Sequence, residues 1–271
     1  MTLSPSYQLL WNQEFDDSVG TGVDGSFWRH DLGDGTDHGI AGWGNQEREW
    51  YLHEAAQQDG ESCLRITATR QPDANPYLAY YGKPAEWTSA KITTYDRVSF
   101  QYGRMEARIK GPSGLGTWPA FWMLATDLAV TPWPQCGEID IMESRGDMPS
   151  TLFGTLHGPG YFGDHGKGKT IDTGIDLSKD FHTYAVEWLP NKISWFFDDE
   201  KYAENSADEI APLEWVYNKP FYVICNLAMG GHFTGPIDPQ LNHAEMLIDY
   251  IRHYSIDGVG EVIYGEKPFK K

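Results

Sequence analysis

The residues with the most chemistry in this chain lie within nine consecutive positions. Cys136-Gly137-Glu138-Ile139-Asp140-Ile141-Met142-Glu143-Ser144 sets three carboxylic acids among apolar neighbours. The alternation from Glu138 to Ile141 predicts a β-strand with Glu138 and Asp140 on one face and both isoleucines buried behind it. Glu143 follows Glu138 at an odd offset, which a regular strand would send to the opposite face. One extra residue, a β-bulge near Ile141 or Met142, returns it to the side of Glu138. Acids crowded on one face repel each other and raise at least one pKa, a cost that points to a task. Strand steps of ~3.3 Å, shortened by a bulge, span ~13 Å, so two inward-leaning glutamates can bring their carboxyls to ~5 Å. Retaining glycosidases use carboxyls about 5–5.5 Å apart, and inverting ones hold them roughly 6.5–9.5 Å apart.

Other chemistries are poorly supported. Gly163 to Thr170 fits the pattern G-x-x-x-x-G-K-[ST], but a phosphate loop needs a buried strand before it and a helix directly after. Here "HGPGYF" precedes and "IDTGIDLSKD" follows, with no apolar helical stripe, so an ordinary Gly/Lys loop is expected. The nine histidines form neither HExxH nor another zinc spacing, and no GxSxG elbow occurs. His157, in "TLHG" at the end of an expected strand, is the histidine kept as a candidate. Cys63, Cys136 and Cys225 cannot all pair and make no CxxC, so each reads as a small buried apolar group.

A formal net charge of −18 argues against nucleic acid and anionic membranes as partners. It also makes a neutral polymer a more natural substrate than a sulfated one. No apolar run reaches membrane-spanning length. The start, "MTLSPSYQLLW", has no basic region, apolar stretch or small-residue cleavage site of a signal peptide. The chain holds 11 Trp, 15 Tyr and 12 Phe, more than a core of ordinary composition asks for. Most suit a large β-core. Those beside the turn-rich segments "GWGNQEREWY" and "GLGTWPAFW" suit a groove where flat rings stack on sugars.

The elements that must position these residues are mainly strands. No repeat, linker or composition shift divides the 271 residues, so one domain over 1–271 is expected. Leu64, Ile66 and Ala68 alternate with Arg65, Thr67 and Thr69; Met105, Ala107 and Ile109 alternate with Arg104, Glu106, Arg108 and Lys110. Further strands are expected at 89–100, 118–125, 137–144, 150–157, 181–189, 192–198, 221–228 and 245–256. The one helical candidate is "PLEWVYN" at 212–218. Many strands with varied turns read as an all-β fold, an antiparallel β-sandwich of the jelly-roll kind with a groove on one sheet.

The segment "GEIDIME" resembles the catalytic signature of glycoside hydrolase family 16, with the bulged spacing of its laminarinase-like branch. The resemblance runs in order through "LLWNQEFDD", "GWGNQEREWY", "DGESCLRITA", "YGRMEARIKGP", "GTWPAFWML", "FHTYAVEWLPNKISWFFDD", "CNLAMGG" and "MLIDYIRHY". It implies a concave sheet that holds a β-1,3- or mixed-linkage β-glucan, cleaved internally with retention. By position, Glu138 would be the nucleophile, Glu143 the general acid/base, and Asp140 the acid between them. Trp118 and Trp122 match cleft aromatics, and Asn45, Glu106, Arg108, His157 and Asn226 match regions that line sugar subsites. Alternation alone would read Glu106 and Arg108 as a solvated sheet face. Many relatives hold a structural calcium at positions matching Glu14, Gly60 and Asp249; no cofactor is implied for catalysis. The match departs at "GGHFTGP", where Phe233 replaces a frequent Trp, and at "LNHAEM", where "FPQ" is usual.

Lichenan, agar or carrageenan remain alternative substrates. A non-catalytic β-glucan-binding protein is the alternative of another class, and retention of Glu138, Asp140 and Glu143 together favours an enzyme over it. A monomer acting on polysaccharide, secreted after loss of a signal peptide, is the expected setting.

Overall fold

In the computed structural model, which describes residues 4–265, the alternating segments become strands of two stacked sheets. Leu64, Ile66 and Ala68 of the Leu64–Arg70 strand are fully buried while Arg65, Thr67 and Thr69 are partly solvated. Met105, Ala107 and Ile109 of Gly103–Lys110 likewise enter the core. This period-2 burial is what makes each sheet one half of a sandwich.

The first sheet runs Glu200–Ser206, Lys192–Phe197, His182–Leu189, Gly103–Lys110, His243–Ile256, Leu64–Arg70, Trp87–Ser89 and Glu49–Tyr51. The second runs Lys167–Asp172, Met148–His157, Glu138–Arg145, Thr117–Ala125, Phe221–Met229, Lys91–Thr93 and Arg29–Asp31. Among the described strands every pairing is antiparallel except that of Glu49–Tyr51 with Trp87–Ser89. The architecture is the all-β jelly-roll sandwich, with Trp87, Trp188, Trp195, Phe121 and Phe221 buried between the layers.

Two expected elements differ. The 89–100 run breaks into Trp87–Ser89, Lys91–Thr93 and Val98–Gln101. The chain changes sheets at the buried Ala90, and a turn with Asp96 at φ 59 interrupts it again. Residues 212–218 form no helix. Pro212 ends the preceding turn by pushing Ala211 to ψ 140, and Tyr217 is held by long-range contacts instead, its hydroxyl donating to the His157 carbonyl and its carbonyl accepting from Trp188 Nε1. The single helical turn nearby is Ala207–Ile210, opened by a Ser206/Glu209 capping box. The 163–170 stretch leads into Lys167–Asp172, an edge strand paired with Met148–His157. No helix follows it, so the phosphate-loop pattern has no phosphate-binding context.

The acid-bearing strand is bulged where the spacing requires. Against Thr117–Ala125, Asp140 pairs with Trp122 and Met142 with Phe121, which leaves Ile141 over. Against Met148–His157, Asp140 pairs with Thr155 and Glu143 with Phe153, so two residues oppose one. Ile139, Ile141 and Met142 all enter the core. The bulge is braced from the other sheet, where Trp195 Nε1 donates to the Asp140 carbonyl at 2.8 Å. Gly154 makes room for that ring, since a Cβ there would lie 2.6 Å from Trp195 Cδ1 and 2.4 Å from the Tyr202 hydroxyl.

Removing the N–H while keeping a ring tests this brace. Trp195→Phe is expected to cost about 2 kcal/mol or more, since it combines a lost buried hydrogen bond with a cavity. Urea unfolding measures it, and a loss below ~0.5 kcal/mol would show that the bulge stands without the brace.

Candidate active site

The bulge sets the three acids on the outer face of the second sheet. Glu138 lies opposite His157 on one neighbouring strand, Asp140 opposite Trp122 on the other, and Glu143 opposite Ala120 and Phe153. Gly137, at φ +87, turns the chain into this strand in a conformation that L side chains rarely adopt, and a Cβ there would lie 2.8 Å from Val216 Cγ2. Cys136, just before it, is fully buried, and burial pushes its thiol up to about 12. It is packing, as is each of the three cysteines, all of them free and buried.

Burial dominates the electrostatics. It pushes Glu138 up to about 8, and the charges of Asp140 and Glu143 add to the rise while His157 opposes it. Glu143 is pushed up to about 8 by burial and then by Asp140, against a 2.8 Å hydrogen bond donated by Trp118 Nε1. Burial also pushes Asp140 up to about 8. Acids this close share protons and titrate as a set. His157 Nε2 stands 3.1 Å from Asp140 Oδ2 and 3.7 Å from Glu138 Oε1. The first contact is close without hydrogen-bond alignment, and Asp140 Oδ2 has no hydrogen-bond partner. These atoms of Glu138, Asp140 and His157 lie within 4.8 Å of one another, a spacing that also suits a cation.

Beside the acids a buried polar chain forms one wall. Trp122 Nε1 donates to Asn226 Oδ1 at 2.8 Å, and Asn226 Nδ2 donates to the Tyr51 hydroxyl at 3.2 Å. That hydroxyl donates to Glu47 Oε2 at 3.3 Å, and Asn45 Nδ2 donates to Glu47 Oε1 at 3.0 Å. Glu49 Oε2 accepts from the Met229 N–H at 2.7 Å. Burial, with the charge of Glu47, holds the Glu49 carboxyl toward its protonated form. Lys91 Nζ sits over the rings of Trp43 at 4.1 Å and Trp122 at 5.2 Å. At the Glu143 end, Phe233 packs 4.8 Å from Trp118 and 5.1 Å from Phe153, with the Arg145 guanidinium over its ring. The departure at Phe233 therefore keeps an aromatic ring at this end.

The structure thus gathers Glu138, Asp140, Glu143, Trp118, Trp122, His157, Asn226 and Asn45. It does not gather Glu106 and Arg108, and the expectation that they line the cleft is corrected. Their strand belongs to the first sheet, with Met105, Ala107 and Ile109 in the core, so they emerge on the opposite side of the sandwich. There Glu106 accepts from Arg104 and Tyr250, and Arg108 pairs with Asp249. Nor do the side chains of the expected calcium site fit that ion. Both oxygens of Glu14 are taken by Arg252 at 2.9 and 2.6 Å, which holds its carboxyl below the usual range. Asp249 is held by Arg108, and Gly60 offers only its backbone. A calcium needs six to eight oxygens, and both side-chain carboxylates are already paired with guanidiniums.

Glu47, Glu49, Tyr51 and Lys91 were not singled out by sequence. The signal was available: Glu47, Glu49 and Tyr51 sit at every second position of "EREWY" and so share a face.

A family model described as Glycosyl hydrolases family 16 matches residues 44–252. The chain is 36% identical to a beta-glucanase of Rhodothermus marinus over 264 residues, 93% of this chain and 86% of that one. It is also 36% identical to a glucan endo-1,3-beta-glucosidase of Cryptopygus antarcticus, with 85% of each covered. The laminarinase catalytic domain from Thermotoga maritima superposes with a TM-score of 0.85 at 41% identity, covering 92% of this chain and 98% of the other.

The raised carboxyls carry a stability signature. Glu143 binds its proton more tightly folded, at about 8, than at the ordinary 4.5. Its contribution is therefore fully present below 4.5 and is lost as pH rises through 8. Glu143→Gln is expected to match the wild-type melting temperature at pH about 4 and to exceed it by roughly 2–4 °C at pH about 9. Equal melting temperatures at both ends would show that the carboxyl is not raised.

Proposed function

Since this chain belongs to the glycosyl hydrolases of family 16 and is an endo-acting β-1,3-glucan hydrolase, we propose that Glu138, Asp140 and Glu143 perform the hydrolysis by double displacement. The observation that carries the reading is the bulge at Ile141–Met142, which brings Glu143 to the face of Glu138.

Glu138, in its ionised form, attacks the anomeric carbon as the bond to the leaving oxygen breaks, giving a covalent glycosyl-enzyme. Glu143, protonated because it is buried beside Asp140, gives its proton to that oxygen. It then takes a proton from the incoming water, which attacks the anomeric carbon and frees Glu138. The transition state resembles an oxocarbenium ion, so the negative charge shared by the cluster stabilises it. His157 and Lys91 favour the ionised form of Glu138, while Trp118 orients the Glu143 carboxyl. Asp140, between the two, shares their protons and holds its free oxygen toward His157. Trp122 and Asn226, fixed by the Tyr51–Glu47 chain, line the sugar path on one side.

Among the described residues no helix is long and apolar enough to cross a membrane. A polymeric glucan is met outside cells, and secretion is the setting this substrate supports.

Two measurements test the assignment. Proton NMR of laminarin hydrolysis is expected to show β-anomeric reducing ends first; α-ends first would overturn retention. Glu138→Ala is expected to abolish turnover while keeping laminarin binding, and near-normal activity would remove Glu138 from the nucleophile's place.

A further inference from the structure

Past His157, on the side of the acids away from Trp118 and Trp122, two large rings stand in solvent. Trp133 is 42% exposed and Phe162 45% exposed. They meet edge to face, with centroids 5.4 Å apart and planes at 74°. Both are held by ordered backbone. The turn bearing Trp133 is closed by hydrogen bonds from Cys136 N–H to the Pro132 carbonyl and from Gly137 N–H to that of Pro134. Phe162 follows Tyr161, which is fully buried, exchanges backbone hydrogen bonds with Gly158 and donates its hydroxyl to the Glu214 carbonyl at 2.8 Å.

This corner continues the acid site. The Trp133 ring is 6.1 Å from the His157 ring, whose Nε2 is 3.1 Å from Asp140. In the second sheet, Met148–His157 flanks the acid-bearing strand on one side and Thr117–Ala125 flanks it on the other. A polymer crossing these strands with its cleaved bond over the acids must set sugar units on both sides. One side meets Trp122 and Asn226, and the other leads to Trp133 and Phe162. Preorganised apolar rings in a chain of net charge −18 suit the neutral face of a pyranose better than an anion, and covering them removes apolar area from water.

We propose that Trp133 and Phe162 form a stacking corner that binds the β-glucan chain beyond the cleaved bond on the His157 side, and so sets the preference for longer chains. This rests on the hydrolase reading above. A glucan unit laid on this corner buries part of each ring, and losing one ring face is worth about tenfold in affinity.

The test compares wild type, Trp133→Ala, Phe162→Ala and Trp133→Phe on laminarin and on laminari-oligosaccharides of increasing length, with circular dichroism melts confirming folding. Each alanine variant is expected to lose about tenfold in kcat/KM on laminarin and the longest oligomers, chiefly through KM, and less than about twofold on the shortest one cleaved. Trp133→Phe is expected to recover most of the loss. An equal loss at every length would assign the rings a purely structural role, and no loss at any length would also overturn the proposal. If wild type released no reducing ends from laminarin, the hydrolase reading itself would fail. Affinity electrophoresis in laminarin gels then decides the corner alone: weaker retardation of Trp133→Ala supports it, and unchanged retardation overturns it.

Discussion

The site depends on one local irregularity, the bulge in the Glu138–Arg145 strand. A regular strand would send Glu143 into the core with Ile139 and Ile141. The extra residue puts Ile141 and Met142 side by side in the core and turns Glu143 outward. The bulge is held from beneath by Trp195, a core residue of the other sheet, whose N–H reaches the Asp140 carbonyl through the gap at Gly154. The two layers of the sandwich are thus coupled at the point where the acids are aimed. Core packing and the placement of the three acids share the same atoms.

Burial of that acid face then supplies the chemistry. Low exposure raises all three carboxyls, and repulsion among them keeps at least one protonated near neutral pH. His157 and Lys91 pull the other way on Glu138, while a hydrogen bond from Trp118 partly offsets the rise at Glu143. An acid and a carboxylate can coexist only under such opposed influences. The arrangement costs stability above the ordinary carboxylate range, as expected where function sets the charges.

Much of this was legible in the sequence because strand periodicity and carboxylate chemistry made the same demand. The odd offset between Glu138 and Glu143 forced a bulge, and apolar Ile141 and Met142 located it. Other features were hidden for physical reasons. Alternation shows that Glu106 and Arg108 share a face, but the outer faces of both sheets alternate alike, so it cannot say which sheet carries them. The paired chemistry of Glu14 with Arg252 and Asp249 with Arg108 joins residues far apart in the chain. Alternation puts Glu47, Glu49 and Tyr51 on one face, but their polar, turn-rich stretch does not show locally that this face is buried. The 212–218 run had apolar spacing suited to a turn of helix, yet contacts of Tyr217 with the distant His157 and Trp188 hold it in irregular backbone.

In the proposed mechanism the bulge makes Glu138 the nucleophile and Glu143 its acid/base partner. The most direct measurement is mass spectrometry of the protein after reaction with a 2-deoxy-2-fluoro β-glucosyl donor bearing a good leaving group, which accumulates the covalent intermediate. A single glycosyl adduct on the peptide containing the acids, placed on Glu138 by fragmentation, is the expected result. An adduct on Glu143 or Asp140, or steady turnover of the donor with no adduct, would contradict it.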